Sequence, residues 1–227
     1  MCIIKIEMTL SEENYLKSIF HLEKKYARGV STNALAEEME TKASSVTDMI
    51  KKLSEKNLVN YKKYQGVKLS EKGNSIAVQI IRKHRLWEYF LVEKLDFNWD
   101  EVHDIAEQLE HIKSDELIAK LDKFLDYPKR DPHGDPIPDA EGNFANLEKK
   151  ILAEFNEGDQ GICVGVKDSS AAFLQYLDRN KIKLGKSITI LEKEQFDGSM
   201  ILKMNNKELT ISKVAANNIY LKPISLE

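Results

Sequence analysis

Four residues of the decapeptide VHDIAEQLEH, positions 102–111, are potential metal ligands: His103, Glu107, Glu110 and His111. If the stretch is one helix they stand at i, i+4, i+7 and i+8 and share one side. Imidazoles and carboxylates without sulfur form a donor set for one or two divalent ions. A second pair, His84 and Glu88, lies one helical turn apart in RKHRLWEYFL. Histidine occurs only at 21, 84, 103, 111 and 133, and three of the five fall in this region with carboxylates at helical spacing. A lone histidine on a helix is more often structural or exposed than a ligand; the clustering is what points to a site. These residues do not build a hydrolase. H-E-x-x-H is absent, and Gln108 stands where a Glu-x-x-His pair ending at His111 needs its carboxylate. No nucleophile or nucleotide loop stands out either, so the expectation is a protein that is not an enzyme.

The chain that positions these groups has 227 residues, 42% of them hydrophobic, enough for one large domain or two to three small ones. Its start, MCIIKIEMTL, has no basic segment leading into an apolar run, and no eighteen apolar residues follow one another. A cytoplasmic protein with no membrane partner is expected. Cys2 and Cys163 form no C-x-x-C pattern, which argues against a disulfide framework or a thiolate zinc site. The net charge is −3, but from Lys42 to Lys72 there are eight lysines against three acids, a local +5. A basic segment in an acidic chain is the footprint of a local polyanion contact or a solvated lysine face.

The order of elements favours the first. TLSEENYLKSIFHLEKKY reads as a helix capped by Thr9 or Ser11, STNALAEEME as a second, and ASSVTDMIKKLSEKN as a third with Val46, Met49, Ile50 and Leu53 on its apolar stripe. LVNYKKYQGVKLSEKG then alternates as a hairpin around Gln65-Gly66. Three helices and a hairpin make a winged helix-turn-helix domain, residues 1–73, whose partner would be double-stranded operator DNA. Lys42, Ser44, Ser45, Thr47, Lys51 and Lys52 on the third helix would face the major groove, and Lys62, Lys63 and Lys68 on the wing would meet phosphates.

A helical metal-binding and dimerisation domain is expected over 74–127, with helices in 74–95, FNWDEVHDIAEQLEHI and SDELIAKLDKFL. Trp87, Phe90, Leu91, Leu95, Trp99, Val102, Ile105, Leu109 and Ile112 make more apolar surface than so few helices bury, which predicts a homodimer. YPKRDPHGDPIPDAEGN holds four of the five prolines and reads as a linker, 128–146. Beyond it, strand-like runs with one helical segment, SAAFLQYLDRN, predict a small SH3-like β-barrel over 147–227. The fold class is thus α+β and multi-domain.

RKHRLWEYFL, VHDIAEQLEHIKSDE and YPKRDPHGDPIP, behind a winged helix, closely resemble the diphtheria toxin repressor family of metal-dependent regulators, from about residue 9 to the C-terminus. The resemblance implies a primary site of Glu107, Glu110 and His111 closed by position 14. It implies a second site of His84 and Glu88 with His103 or Asp131 and His133, and with Asp168, which opens DSSAAFLQYLD as in the longer manganese-responsive members. Position 14 is Asn14, where manganese-responsive relatives carry a carboxylate and iron-responsive ones methionine; an amide oxygen is a neutral, weaker ligand. Glu107 and Asp131 stand where some relatives carry cysteine. An oxygen and imidazole set favours Mn²⁺ first, with Fe²⁺ its main competitor. The implied function is repression of metal-uptake genes with the metal as co-repressor. The alternatives are an iron(II)-dependent repressor of the same family, or a metal-independent winged-helix regulator whose His/Glu cluster is a polar network.

Overall fold

The computed structural model describes residues 7–26, 28–62, 65–146, 148–205 and 207–224. Cys2 and Lys63, both singled out above, lie outside them. The chain divides into two compact units: residues 1–84, 109–115 and 138–143 form the first, and 85–108, 116–137 and 144–227 the second.

In the first unit, α1 (Leu10–Glu23) starts where Thr9 accepts from the Glu12 amide while the Glu12 carboxylate accepts from the Thr9 amide. This reciprocal cap satisfies two N–H groups that a helix start otherwise leaves unpaired. α2 (Thr32–Glu38) is capped by Ser31, and α3 (Ala43–Glu55) follows a short turn. The strands β1 (Val59–Lys62) and β2 (Gly66–Leu69) pair antiparallel, and Val30 adds a bridge to Val67. Leu16, Ile19, Leu35, Val46, Ile50, Leu53, Leu58 and Val67 are buried together, so each helix turns its apolar stripe inward. This is the winged helix-turn-helix that the sequence predicts.

α4 (Glu71–Leu95) begins three residues earlier than the expected 74, with Ser70 accepting from the Gly73 amide; the unit boundary falls within it, between His84 and Arg85. α5 (Val102–Leu109) is shorter than its sequence suggests. Glu110 and His111 lie in the turn beyond its end, and α6 (Asp115–Phe124) begins a few residues on. VHDIAEQLEH is therefore a helix followed by a turn, and its four ligand-type residues do not form one helical row.

In the second unit the sheet runs β3-β8-β4-β5-β6-β7 and is antiparallel throughout. The strands are β3 (Lys150–Ile151), β4 (Gln160–Val166), β5 (Ser187–Lys193), β6 (Met200–Met204), β7 (Lys207–Ile211) and β8 (Ile219–Pro223). Bulges between Cys163 and Gly165 and between Ile190 and Glu192 bend the sheet around its core. α7 (Ala171–Arg179) and α8 (Lys213–Ala216) cover it, with Leu174, Leu177, Ile188, Ile190, Leu202 and Leu221 inside. Cys163 belongs to that core, and burial pushes its thiol up to about 11, which leaves it unreactive at neutral pH.

One expectation changes in this unit. Trp87, Leu91 and Val102 are buried within the single chain, so they do not contribute to a spare apolar face; of the nine, Leu95 is exposed, and Phe97, Leu117, Phe124 and Tyr127 are exposed as well. The proline-rich stretch is irregular, but it is not a solvated tether over its first half. Asp131, His133 and Ile137 are buried, and the Val166 amide donates to the His133 carbonyl. Proline blocks regular structure without blocking burial, provided other elements take the backbone groups. Gly134 makes the approach possible: its φ is +89°, and a Cβ there would lie 2.1 Å from the Val164 carbonyl oxygen.

Candidate metal centres and nucleic-acid interface

The first centre is built around Glu110, which is 0% exposed. His84 Nδ1 lies 2.7 Å from its Oε2, and Lys17 Nζ lies 2.7 and 2.8 Å from its two oxygens. A buried carboxylate needs such partners, since an isolated one would be too costly to keep ionised. His111 Nδ1 lies 2.6 Å from Glu13 Oε2, and its Nε2 lies 3.8 Å from Glu110 Oε1. With Nδ1–H donating to Glu13, Nε2 keeps its lone pair on the Glu110 side; a carboxylate behind a histidine is the usual way to orient a metal-binding ring. On α1, between Glu13 and Lys17, the Asn14 Oδ1 is buried and has no hydrogen-bond partner among the described residues. A buried amide oxygen left bare costs about 1–3 kcal/mol, and a cation would remove that cost. Nearby, burial pushes the Lys83 ammonium down, opposed by the charges of Glu13 and Glu110.

The second centre lies in the second unit. Ligand atoms of Glu88, Asp131 and His133, all buried, come within 4.8 Å of one another. His133 Nδ1 is 3.5 Å from Glu88 Oε2, while its Nε2 donates to the Trp99 carbonyl at 2.8 Å and its ring stacks on Trp99. That bond fixes the tautomer and leaves Nδ1 facing the carboxylates. Asp131 Oδ1 accepts from the His133 and Asp135 amides, both at 2.9 Å, and Arg85 Nε stands 3.5 Å from Oδ2. Burial, with the Glu88 charge beside it, pushes the Asp131 carboxyl up to about 7 against the pull of Arg85. Burial disfavours a charged His133, but Glu88 and Asp131 outweigh it and push the imidazolium up to about 9. The cluster is thus a pocket of acceptors that retains protons when no other cation is present.

The remaining predicted residues fall as follows. His103, 60% exposed, has Nδ1 3.4 Å from Glu88 and Nε2 3.6 Å from Glu107, all within the second unit. Asp168 follows β4, and its Oδ1 accepts from the Ser170 amide. Within the first unit, His84 stands against Glu110. Glu13, Lys17 and Arg85 are partners that the sequence reading missed. Lys17 could have been found from its place one turn after Asn14; Glu13 and Arg85 carry no comparable signal. Both clusters offer only oxygen and nitrogen donors, and the bare Asn14 oxygen asks for a cation, so the residues fit a divalent metal.

Lys42, at the N-cap of α3, and Ser44, Ser45, Lys51 and Lys52 on the helix are exposed, Thr47 is half-buried with its hydroxyl on the Ala43 carbonyl, and Val46, Ile50 and Leu53 point inward. Lys62 and Lys68 are exposed on the hairpin. One face of the helix is therefore held by the core while the other offers cations and hydroxyls.

Three family models cover most of the chain. They are described as the iron dependent repressor N-terminal DNA binding domain (residues 7–67), the iron dependent repressor metal binding and dimerisation domain (70–139) and the FeoA domain (151–223). The iron-dependent repressor IdeR of Mycobacterium tuberculosis is 31% identical over 132 residues, 58% of this chain and 57% of its own length. A probable metal transport system membrane protein of Chlamydia trachomatis is 45% identical over 86 residues, 38% of this chain and 19% of its own length. The chain thus spans about a fifth to three fifths of these curated relatives. A solved manganese-dependent transcriptional repressor in complex with manganese superposes with a TM-score of 0.80 at 34% identity, covering 94% of this chain and all of the other. With three consecutive domain matches and a full-length structural relative, the chain belongs to the iron dependent repressor family, the diphtheria toxin repressor group of metal-dependent regulators.

Proposed function

We propose that this protein is a Mn²⁺-responsive transcriptional repressor that binds palindromic operator DNA as a homodimer. The observation that carries the reading is the pair of sulfur-free clusters, around Glu110 and around Glu88, Asp131 and His133, in a chain that also presents the exposed lysine and serine face of α3. Asn14, Glu110 and His111 form the primary ligand set, to which Glu107 is added by the resemblance alone. Glu88, Asp131 and His133 form the second, with His103, His84 and Asp168 as its further candidates. Bound Mn²⁺ would supply positive charge to the carboxylates and a coordination shell for donors from different segments. The protein's own groups do the rest: Glu13 orients His111, the Trp99 carbonyl orients His133, and Arg85 holds the Asp131 loop. The exposed Leu95, Leu117 and Phe124 supply an apolar dimer seam. Recognition residues on α3 and phosphate contacts from Lys62, Lys63 and Lys68 complete the DNA surface.

Fe²⁺ is the second reading, favoured by the iron-dependent relatives. The test is fluorescence anisotropy with a duplex palindrome selected from a random library, at one salt concentration, with Mn²⁺, anaerobic Fe²⁺, Zn²⁺ or a chelator. Binding switched on by Mn²⁺ and lost in Glu110→Gln is expected. Activation by Fe²⁺ alone would move the assignment to the second reading, and equal binding in chelator would leave a metal-independent regulator. Linkage adds a check: operator DNA must raise metal affinity by the factor by which metal raises operator affinity.

A further inference from the structure

The fully buried Glu110 already has a cation of the chain's own. Lys17 Nζ bridges both carboxylate oxygens at 2.7 and 2.8 Å, and its side chain is only 12% exposed. One of those oxygens, Oε1, is the one that faces His111 Nε2 at 3.8 Å. Lys17 follows Asn14 by three residues on α1, so the ammonium rises from the helix face that carries the bare Asn14 oxygen. An ammonium has three donors and no lone pair, so it satisfies Glu110 as a cation does while being unable to ligate one. Its four-carbon stem is flexible enough to leave.

We propose that Lys17 is an internal competitor for the metal at Glu110, a residue that sets the free-metal threshold of the primary site by holding the carboxylate until a divalent ion displaces it. The inference rests on the metal reading of that site and deepens it. Without a competitor, a buried carboxylate facing a histidine and a bare amide would bind the first available cation, including ions well above Mn²⁺ in the stability series. With one, the apo state is a satisfied ion pair, and metal entry must replace a charge-assisted, two-oxygen contact. A purely structural ion pair makes a different prediction: loss of Lys17 would weaken the fold equally with and without metal.

The test uses full-length protein in an Asp131→Asn background, which isolates the Glu110 site. Mn²⁺ affinity is measured by competition with a fluorescent chelator, and melting temperature is measured with and without Mn²⁺. Lys17→Met should bind Mn²⁺ at least about tenfold more tightly, equivalent to about 1.4 kcal/mol. Its melting temperature should fall only in the metal-free state. Lys17→Gln, which keeps a donor for Glu110 without the charge, should move the same way if the methionine variant folds poorly, and Lys17→Arg should stay near the parent. Unchanged affinity in both neutral variants, or an equal melting loss with and without Mn²⁺, would overturn the competitor role while leaving the site intact. No Mn²⁺ binding in the parent or in any Lys17 variant would remove both the competitor and the metal reading of this site.

Discussion

Asp131→Asn should make the metal-free protein relatively more stable as pH rises, while removing a ligand of the proposed second metal centre. The asparagine keeps the shape of the side chain and an Oδ1 acceptor for the His133 and Asp135 amides. What it removes is ionisation of a carboxyl pushed from 3.8 up to about 7 by burial and by Glu88. A group that holds its proton more tightly in the folded state destabilises the fold as pH rises from the unfolded value through the folded one, here from about 4 to about 7. At about 1.4 kcal/mol per tenfold, the cost in the wild type is roughly 4 kcal/mol at pH 8 and between 1 and 2 kcal/mol at pH 5. The variant avoids this cost but weakens the Arg85 contact at 3.5 Å, a loss on the order of 1–3 kcal/mol that depends little on pH. The difference between the two pH values cancels that loss and leaves the titration of Asp131 together with that of His133, whose proton its charge helps to hold. Relative to wild type, chelator-treated Asp131→Asn should gain on the order of 2–3 kcal/mol on going from pH 5 to pH 8. Both tryptophans, Trp87 and Trp99, lie in the second unit, so urea titration followed by their fluorescence reports on the part of the chain that holds Asp131. Added Mn²⁺ should stabilise the wild type more than the variant. A variant destabilised by the same amount at both pH values would refute the reasoning, because Asp131 would then be ionised in the folded state throughout.

Lys62→Ala should weaken binding to operator and random duplex alike and reduce the slope of log affinity against log salt by about 0.9; an unchanged slope would mean that Lys62 meets no phosphate. Gly134→Ala should cost several kcal/mol, more than the roughly 1–3 kcal/mol of backbone strain alone, because its Cβ also meets the Val164 carbonyl oxygen at 2.1 Å. Wild-type stability by urea titration would show that the loop can move away from β4. Glu13→Gln should lower Mn²⁺ affinity at the Glu110 site by about 10- to 100-fold by weakening the orientation of His111, and chelator competition that finds no change would remove Glu13 from that role.

The sequence carried the winged helix legibly because its signals are local. The Thr9 cap, the stripe of Val46, Ile50 and Leu53 and the alternation through Val67 and Leu69 each sit within a few residues of what they organise. The candidate metal clusters were legible as inventories of donor types, not as constellations. His103, Glu107, Glu110 and His111 are adjacent in sequence, yet the helix that seemed to align them stops at Leu109. The groups that complete Glu110 and His111 come from 93 and 98 residues away, from Lys17 and Glu13, and helical spacing carries no information at that range. The proline-rich stretch shows the same limit. Its composition reports the absence of regular backbone, whereas the burial of Asp131 and His133 is decided by Gly134 packing against β4 and by Arg130 Nη1 donating to the Gly134 and Val164 carbonyls.

The two clusters neutralise their carboxylates by different means, and the difference gives them separable behaviour. Glu110 is held by the Lys17 ammonium and by His84, while Asp131 is held by Arg85 and by protons that burial and the neighbouring Glu88 retain on Asp131 and His133. Metal binding at the first exchanges a divalent ion chiefly for an ammonium that stays tethered to the protein. At the second, His133 must release its proton to ligate and Asp131 must ionise, so binding there expels protons and strengthens as pH rises from about 6 to about 9. Calorimetric titration with Mn²⁺ in buffers of different ionisation enthalpy counts those protons. Release at pH 7 should be largely abolished in Asp131→Asn and largely preserved in Glu110→Gln. Equal release from both variants would show that the proton-holding cluster and the metal-binding cluster are not the same set of residues, and the second centre would have to be sought elsewhere than at Glu88, Asp131 and His133.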